Sequence, residues 1–261
     1  MGRVVFITVM CAFLAAPVLA DLTVQYSGAS PAMSMYVESS SGISGKWLVT
    51  GQYKIDVQGD TGDITGAPGI VNAFCIDLWD WAPTSPLSYT LETLDMTPDP
   101  GAGPMGTVRA GYLATLLNTY WDQDNWSSNA SRTFNLGTGS YVYSADQVAA
   151  AAQLAVWEIV DEFNTDTTGY AGDTVVPADW DVKKDLFRVS GGDIVVQDIA
   201  NVMLISVVGI GPSSFGNYQG LSNSSDASHY QDYVVMTPIP PSVVLGLLGF
   251  GVVGLKLRKY V

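Results

Sequence analysis

One long stretch, SADQVAAAAQLAVWEIVDEF (residues 144–163), limits the folds that are open to this chain. It begins with Ser144 and Gln147, the Ser-x-x-Gln pattern of a helix capping box, and continues with alanines that favour a helix. Between residues 148 and 156 the stretch is apolar on nearly every side. Such a helix has to be covered all round. The sequence therefore predicts a buried central helix, which the rest of the chain must enclose.

Alternating segments upstream of this helix are the main candidates for that cover. Alternation of apolar and polar residues predicts strands at residues 22–27, 32–39 and 46–57. Residues 70–79, which are apolar on both faces, predict a central strand covered on both sides, and residues 87–94 predict another strand. Further helices are predicted at 107–121 and 193–208, and a closing strand at 229–236. The predicted fold class is α+β. An N-terminal β-rich part, as a sandwich or partial barrel, packs with a small helical subdomain in one domain at residues 21–236.

The first 20 residues, MGRVVFITVMCAFLAAPVLA, have the pattern of a signal peptide. Arg3 precedes an apolar stretch, and the small or branched residues Val18 and Ala20 occupy the −3 and −1 positions of a cleavage site. The chain is therefore predicted to be exported, with a mature start at Asp21. Cys11 lies in this leader, so Cys75 is the only cysteine of the predicted mature protein.

Residues 237–261 form a second region outside the predicted domain. TPIPP is followed by the apolar stretch SVVLGLLGFGVVGL and the basic end KLRKYV. This order resembles the PEP-CTERM sorting signal of bacterial exported proteins, although no glutamate separates the prolines here. The resemblance implies a short transmembrane segment, initial membrane anchoring and processing by an exosortase-like enzyme. A plain C-terminal membrane anchor is the alternative.

The charge of the chain limits its partners. The region between residues 21 and 237 holds all 25 acidic residues and all but four of the 11 basic ones, a net charge of about −18. This charge excludes nucleic acid and anionic membrane surfaces as direct partners and suits a cell-surface or extracellular location. Asp122 and Asp124 in WDQDNW are candidate calcium ligands, but no complete calcium loop surrounds them. No metal and no cofactor are predicted.

Two residues do not match their surroundings. Cys75 lies in the apolar and aromatic run AFCIDLWDW, in an exported chain that offers it no disulfide partner. Gln153 lies inside the apolar stretch of the main helix, where an unpaired amide costs about 1–3 kcal/mol. A hydrogen bond to a neighbouring main-chain group is the simple explanation for Gln153.

Both residues fit motifs of one family. Phe74-Cys75-Ile76-Asp77 and Gln153-Leu154-Ala155-Val156-Trp157 together resemble the thioester domain of bacterial surface adhesins, over residues 71–162. The departures are Ala152, where the family often has threonine, and Val156 in place of isoleucine. The resemblance implies a thioester between a strand and a helix, in which the Gln153 side chain acylates the Cys75 sulfur with loss of ammonia.

The resemblance also implies a function. A thioester stays inert while water is excluded, and it acylates an amine or hydroxyl that reaches it, so the protein would bind once, covalently, and would not turn over as an enzyme. The target would be a nucleophile on an unknown surface protein or polysaccharide. Phe74, Asp77 and Trp157 are the expected supporting residues, and Trp79 and Trp81 are further aromatic candidates for excluding water.

Three alternatives remain at this point. A structural module of the extracellular matrix or biofilm would hold Cys75 as an inert buried thiol. A cysteine hydrolase would pair Cys75 with His229, the only histidine, although the sequence around Cys75 lacks the usual context of that class. A glycosidase would use two carboxylates, but no spacing distinguishes a pair.

Overall fold

The computed structural model describes residues 21–39, 45–58, 69–78, 80–99, 103–121, 132–135, 140–161, 180–184, 187–223 and 230–236. The expected leader, the C-terminal tail, the loop with Asp122 and Asp124, Trp79 and His229 lie outside these residues. Within the described part of the chain, no helix combines the length and hydropathy that a membrane crossing requires.

The described strands form one large antiparallel sheet and two short pairs. The large sheet contains β1 (Asp21–Ser39), β2 (Lys46–Gln58), β3 (Gly69–Cys75), β4 (Leu87–Thr93), β9 (Phe187–Gly191), β10 (Tyr218–Ser222) and β11 (Tyr233–Met236). The short pairs are β5 (Pro98–Asp99) with β6 (Gly103–Pro104), and β7 (Arg132–Asn135) with β8 (Ser140–Tyr143).

The long strand β1 closes the large sheet on itself. The strand order is β2, β3, β11, β10, β4, β1, β9, and β1 pairs with β2 as well. Val24 near the start of β1 lies opposite Val57 of β2 on one side and Leu87 of β4 on the other. Six strands therefore form a closed ring, and β9 extends the sheet at the far end of β1. Of the two predicted arrangements, the barrel-like one is the closer description.

Three α-helices pack against this ring. They are α1 (Gly106–Tyr120), α2 (Ala145–Asp161) and α3 (Ile194–Ile210). Helix α2 contacts both other helices, lies across β1 and β2, and reaches β3. Every residue from 148 to 160 is buried, which confirms the predicted central helix.

Side-chain caps fix the starts of α2 and α3, and the cap of α2 is the predicted capping box. The Gln147 N–H donates to Ser144 Oγ at 3.2 Å, and the Ser144 N–H donates to Gln147 Oε1 at 3.1 Å, which completes the capping box. Asp193 caps α3 by accepting from the Val195 N–H at 2.9 Å. Gln147 Nε2 also donates to Asp193 Oδ2 at 2.9 Å, so the two helix starts are joined.

The strands differ from the prediction in three respects. The predicted strands at 22–27 and 32–39 are one continuous β1, whose pairing with β2 shifts register near Gly28 and again before Ala32. The predicted strand at 70–79 ends at Cys75. The sheet is not confined to the N-terminal part, because β9, β10 and β11 come from the second half of the chain. The segments FRVSG and YQGLS are too short and too rich in glycine and serine to show clear alternation.

Candidate functional site

The side-chain amide of Gln153 is hydrogen-bonded at both ends to the main chain of Cys75. The Cys75 N–H donates to Gln153 Oε1 at 3.0 Å, and Gln153 Nε2 donates to the Cys75 carbonyl oxygen at 2.7 Å. Both residues are fully buried. The structure thus brings together, from the last residue of β3 and the middle of α2, the two residues that the sequence singled out.

The Gln153 amide fills a gap in the strand ladder. Strands β2 and β3 pair as far as Tyr53 opposite Ala73. Two residues further along, the same register would set Gly51 opposite Cys75, but the ladder between β2 and β3 ends at Tyr53 and Ala73. A side-chain amide has the donor and the acceptor of a peptide group, so Gln153 replaces the missing strand residue. Without it, two buried main-chain groups would be left unpaired at about 1–3 kcal/mol each.

Gly51 is required by the close approach of β2 to β1. A Cβ atom at Gly51 would lie 2.4 Å from the Pro31 carbonyl oxygen and 2.6 Å from Ala32 Cα. Such distances do not occur between real atoms without a shift of the main chain. The tight contact of β2 with β1 at Gly51 thus lies where the pairing of β2 with β3 has ended, beside Cys75. The Gln153 amide enters at this point.

The sulfur of Cys75 lies on the inner side of the ring. Cys75 shares a strand face with Ala73, and its cross-strand partner is Tyr233 of β11. The thiol donates to the main-chain oxygen of Asp77 at 2.8 Å. Cys75 therefore presents its sulfur to the inside of the ring and its main-chain groups to the Gln153 amide at the strand edge.

Tyrosines surround the thiol inside the ring. The ring centroids of Tyr53 and Tyr233 lie 5.8 Å apart, and those of Tyr89 and Tyr233 lie 6.3 Å apart. Burial raises the pKa of Tyr53 and of Tyr233 well above the ordinary value of 10.0, with the charge of an ionised Cys75 as the second cause. These tyrosines stay protonated and provide a dry, aromatic surrounding for the sulfur.

The three residues that were expected to support the thioester are all buried. Trp157, one helical turn after Gln153, is fully buried with its ring 6.3 Å from that of Phe187. Phe74 is fully buried, with its ring edge-on to Trp121, and Asp77 is 3% exposed.

Trp81 does not exclude water from the thiol. Its side chain is 69% exposed, and Lys46 Nζ lies 5.4 Å from the centre of its ring. The prediction for this residue was wrong because an aromatic run continues past the end of β3, where the chain no longer faces the ring.

A buried carboxylate also holds helix α2. Glu158 is fully buried, and its Oε1 accepts from the Asp181 N–H at 2.8 Å. Asp181 in turn accepts from Asn201 Nδ2 on α3 at 2.6 Å. These bonds join α2, the segment at 180–184 and α3 just beyond the Gln153 turn, and they fix the rotation of the helix.

A second glutamine, Gln52 of β2, has no such partners. Its side chain is fully buried, and neither Oε1 nor Nε2 has a hydrogen-bond partner among the described residues. Each such atom costs about 1–3 kcal/mol. The sequence signal is a large polar residue, Gln52, between Gly51 and Tyr53 of a predicted strand.

Asp232, next to Tyr233, is 7% exposed and accepts from the Asn223 N–H at 2.9 Å. Burial, together with the smaller effect of the charges of Asp80 and Glu92, raises the pKa of Asp232 from an ordinary 3.8 to about 7, and the hydrogen bond from the Asn223 N–H partly opposes this rise. Among the described residues, no group of three or more histidine, cysteine, aspartate or glutamate side chains is arranged to hold a metal ion.

This chain has little similarity to known proteins. No protein-family model matches it, and no curated protein matches it. Among solved structures, the chain is similar to the N-terminal domain of the Streptococcus pyogenes pilus tip adhesin Cpa, with 16% sequence identity over 78% of this chain and 93% of that chain. The TM-score is 0.38.

Proposed function

We propose that this chain is an exported, adhesin-like protein of the cell surface or extracellular matrix, in which Cys75 and Gln153 form an internal thioester. The observation that supports this most directly is the pair of hydrogen bonds between the Gln153 amide and the Cys75 main chain. These bonds hold the reacting amide against the residue that carries the sulfur, so little motion is needed to bring the two groups into contact.

The bond forms by acyl transfer within the chain. The Cys75 sulfur adds to the side-chain carbonyl carbon of Gln153, the carbon–nitrogen bond breaks, and the thiol proton leaves with the nitrogen as ammonia. Negative charge develops on Gln153 Oε1 during this step. The Cys75 N–H already points at that oxygen from 3.0 Å, so it serves as an oxyanion donor without rearrangement.

The finished thioester reacts once per molecule. An incoming nucleophile adds to the Gln153 carbonyl carbon, the carbon–sulfur bond breaks, and Cys75 returns to the thiol. The protein stays attached to its target through the Gln153 side chain. This is covalent binding and not turnover, so the chain is not an enzyme in this proposal.

The hydrogen bond from Gln153 Nε2 to the Cys75 carbonyl favours a primary amine over a hydroxyl. An amide formed with a primary amine keeps one N–H, which can still donate to that buried oxygen in the cis form of the amide, at a cost of about 2.5 kcal/mol. An ester has no hydrogen at this position and would leave the oxygen unpaired, at a cost of about 1–3 kcal/mol. The strongly acidic surface also attracts an ammonium-bearing partner, such as a lysine side chain.

Mass spectrometry of the treated protein tests this proposal. Methylamine should add to Gln153 and free the Cys75 thiol. Dimethylamine, whose product amide has no N–H, and ethanol should add much more slowly at the same concentration. Equal rates for methylamine and dimethylamine would contradict the role given to the Nε2 hydrogen bond.

One alternative function has an observation in its favour. The Cys75 thiol already donates to the Asp77 carbonyl oxygen, as an inert buried thiol would in a structural matrix module. Iodoacetamide under denaturing conditions separates the two functions. A thioester blocks alkylation of Cys75, whereas a structural thiol is alkylated completely.

A further inference from the structure

We propose that one exposed sheet face of this protein binds a neutral polysaccharide non-covalently; this inference does not depend on the thioester. Beyond the closed ring, β1 continues to Ser39 and pairs with the start of β2 on one side and with β9 on the other. Helix α2 contacts all three strands, so it covers the face on which Met35, Val37 and Val189 are buried. Side chains that alternate with these residues lie on the opposite face. This opposite face is the platform, and it carries Tyr36, Glu38, Trp47, Arg188 and Ser190.

Two aromatic rings form the apolar part of the platform. Tyr36 and Trp47 are cross-strand partners on β1 and β2, with ring centroids 5.5 Å apart and planes at 64°. The main chain packs closely against Tyr36 at two glycines: a Cβ atom at Gly191 would lie 2.8 Å from Tyr36 Cβ, and one at Gly45 would overlap the Tyr36 hydroxyl group. The side chain of Trp47 is nevertheless 62% exposed. The pair is therefore held in position and still open to a ligand that stacks on it.

A hydrogen-bonded charge pair forms the polar part of the platform. Arg188 donates to Glu38 Oε2 from Nε at 2.9 Å and from Nη2, and Ser190 Oγ donates to Glu38 Oε1 at 2.9 Å. The Arg188 side chain is 53% exposed and that of Glu38 is 29% exposed. The guanidinium keeps further N–H donors and the carboxylate keeps further lone pairs, so the pair can bind hydroxyl groups of a ligand from a fixed position.

The spacing of the two parts indicates a sugar. Tyr36 and Glu38 are two residues apart on one strand, which is about 7 Å. A ligand that uses both must present an apolar surface and hydroxyl groups within that distance. A pyranose ring does so, because its C–H groups stack on the electron-rich face of an aromatic ring while its hydroxyl groups project from its edge. A protein partner fits less well, because the centres of protein interfaces are depleted of charged residues.

The charge of the chain favours a neutral polysaccharide over an acidic one. Glu38 and Arg188 neutralise each other, so their site offers donors and acceptors without a net charge. The surrounding chain between residues 21 and 237 carries about −18, which repels sugars with carboxylate or sulfate groups. The platform lies on a sheet, so it also suits an extended, ribbon-like chain such as that of cellulose or chitin.

Binding of defined oligosaccharides to the full-length, processed protein tests this proposal. The probes are cellohexaose and N-acetylchitohexaose, which are neutral and ribbon-like, and hexagalacturonate, which is acidic. Titration calorimetry should detect binding of a neutral probe and no binding of the acidic one. Trp47→Ala removes the exposed ring, and Arg188→Met removes the donors but keeps the length of the side chain. Each should weaken binding of the neutral probe about tenfold.

Control variants make each outcome decisive. Tyr141→Ala removes another exposed aromatic ring, on β8 outside the large sheet, and should leave the affinity unchanged. Cys75→Ala cannot form a thioester and should bind the neutral probe like the wild type, which separates this proposal from the proposed function. No binding of either neutral probe, or an equal loss in Tyr141→Ala and Trp47→Ala, would overturn the proposal. A wild-type dimer that Trp47→Ala dissociates in sedimentation would also overturn it, because a second copy would then cover the platform.

Discussion

The side chain of Gln153 bonds to the main chain of Cys75 across 78 residues of sequence, with an N–H···O bond of 3.0 Å in one direction and 2.7 Å in the other. The arrangement serves the fold and the chemistry together. The Gln153 amide completes the strand ladder that β2 leaves open. It also holds the side-chain carbonyl carbon of Gln153 next to Cys75, the only cysteine among the described residues.

The structural part of this role can be measured without the thioester. In a Cys75→Ala background no thioester can form, but the main-chain bonds to Gln153 remain. Adding Gln153→Ala should lower the free energy of unfolding by at least about 2 kcal/mol, because two buried main-chain groups lose their partners. Gln147→Ala in the same background is the control on the same helix, and the loss of its capping box should cost about 1 kcal/mol. A smaller loss for Gln153→Ala than for Gln147→Ala in urea titrations would contradict the ladder role.

Opening the thioester should destabilise the fold. The crosslink closes a loop of 78 residues, and by analogy with a disulfide it contributes about 4 kcal/mol by restricting the unfolded chain. The thioester has no nitrogen at Gln153 to donate to the Cys75 carbonyl oxygen, and the methylamine product has one again. The difference in unfolding free energy before and after treatment is therefore the crosslink contribution less at most about 1–3 kcal/mol for that hydrogen bond. Cys75→Ala protein treated in the same way should show no change. A treated wild-type protein as stable as the untreated one would refute the loop-closure effect.

Asp232 makes stability depend on pH. Its folded pKa of about 7 lies above the ordinary 3.8, so its favourable contribution is complete below about pH 4 and is lost as the pH rises through 7. The ionised, buried carboxylate costs at most about 4 kcal/mol relative to its protonated form. Asp232→Asn keeps an oxygen for the Asn223 N–H and should flatten the fall in stability between pH 4 and pH 8. The same slope in the variant and the wild type would assign the dependence to other groups.

The C-terminal tail should act separately from the folded domain. Strand β11 ends at Met236, which pairs with Tyr218, so truncation after Met236 leaves the sheet intact. The truncated protein should fold with unchanged stability and be released from the membrane fraction. Retention equal to that of the full chain would show that the tail has no anchoring or sorting role.

The main features of the fold were predictable where the signal extends over many residues. The capping box of Ser144 and Gln147 predicted where α2 begins. The apolar stretch predicted that the helix is buried, because apolar side chains on every face of a helix need cover. The pairing of Cys75 with Gln153 rested on two motifs, and each residue was also anomalous in its own surroundings.

Other features were not predictable from local patterns. The closure of the ring depends on pairing between β1 and β4 and on β10 and β11, whose partners are distant in sequence. Trp81 followed the aromatic run around Cys75 but lies past the end of β3, where its side chain is exposed. Gln52 is one polar residue in a strand, and only the structure shows that it is buried without a side-chain partner among the described residues.

The intact mass of the purified mature protein tests the central proposal most directly. The wild-type chain should weigh one ammonia less than its sequence, and Cys75→Ala and Gln153→Ala should each restore the full sequence mass. Methylamine should add its own mass to the wild type alone and release one thiol that can be alkylated. A wild-type protein of full sequence mass, with Cys75 alkylated by iodoacetamide as soon as it is denatured, would contradict the thioester and leave Cys75 as a buried structural thiol.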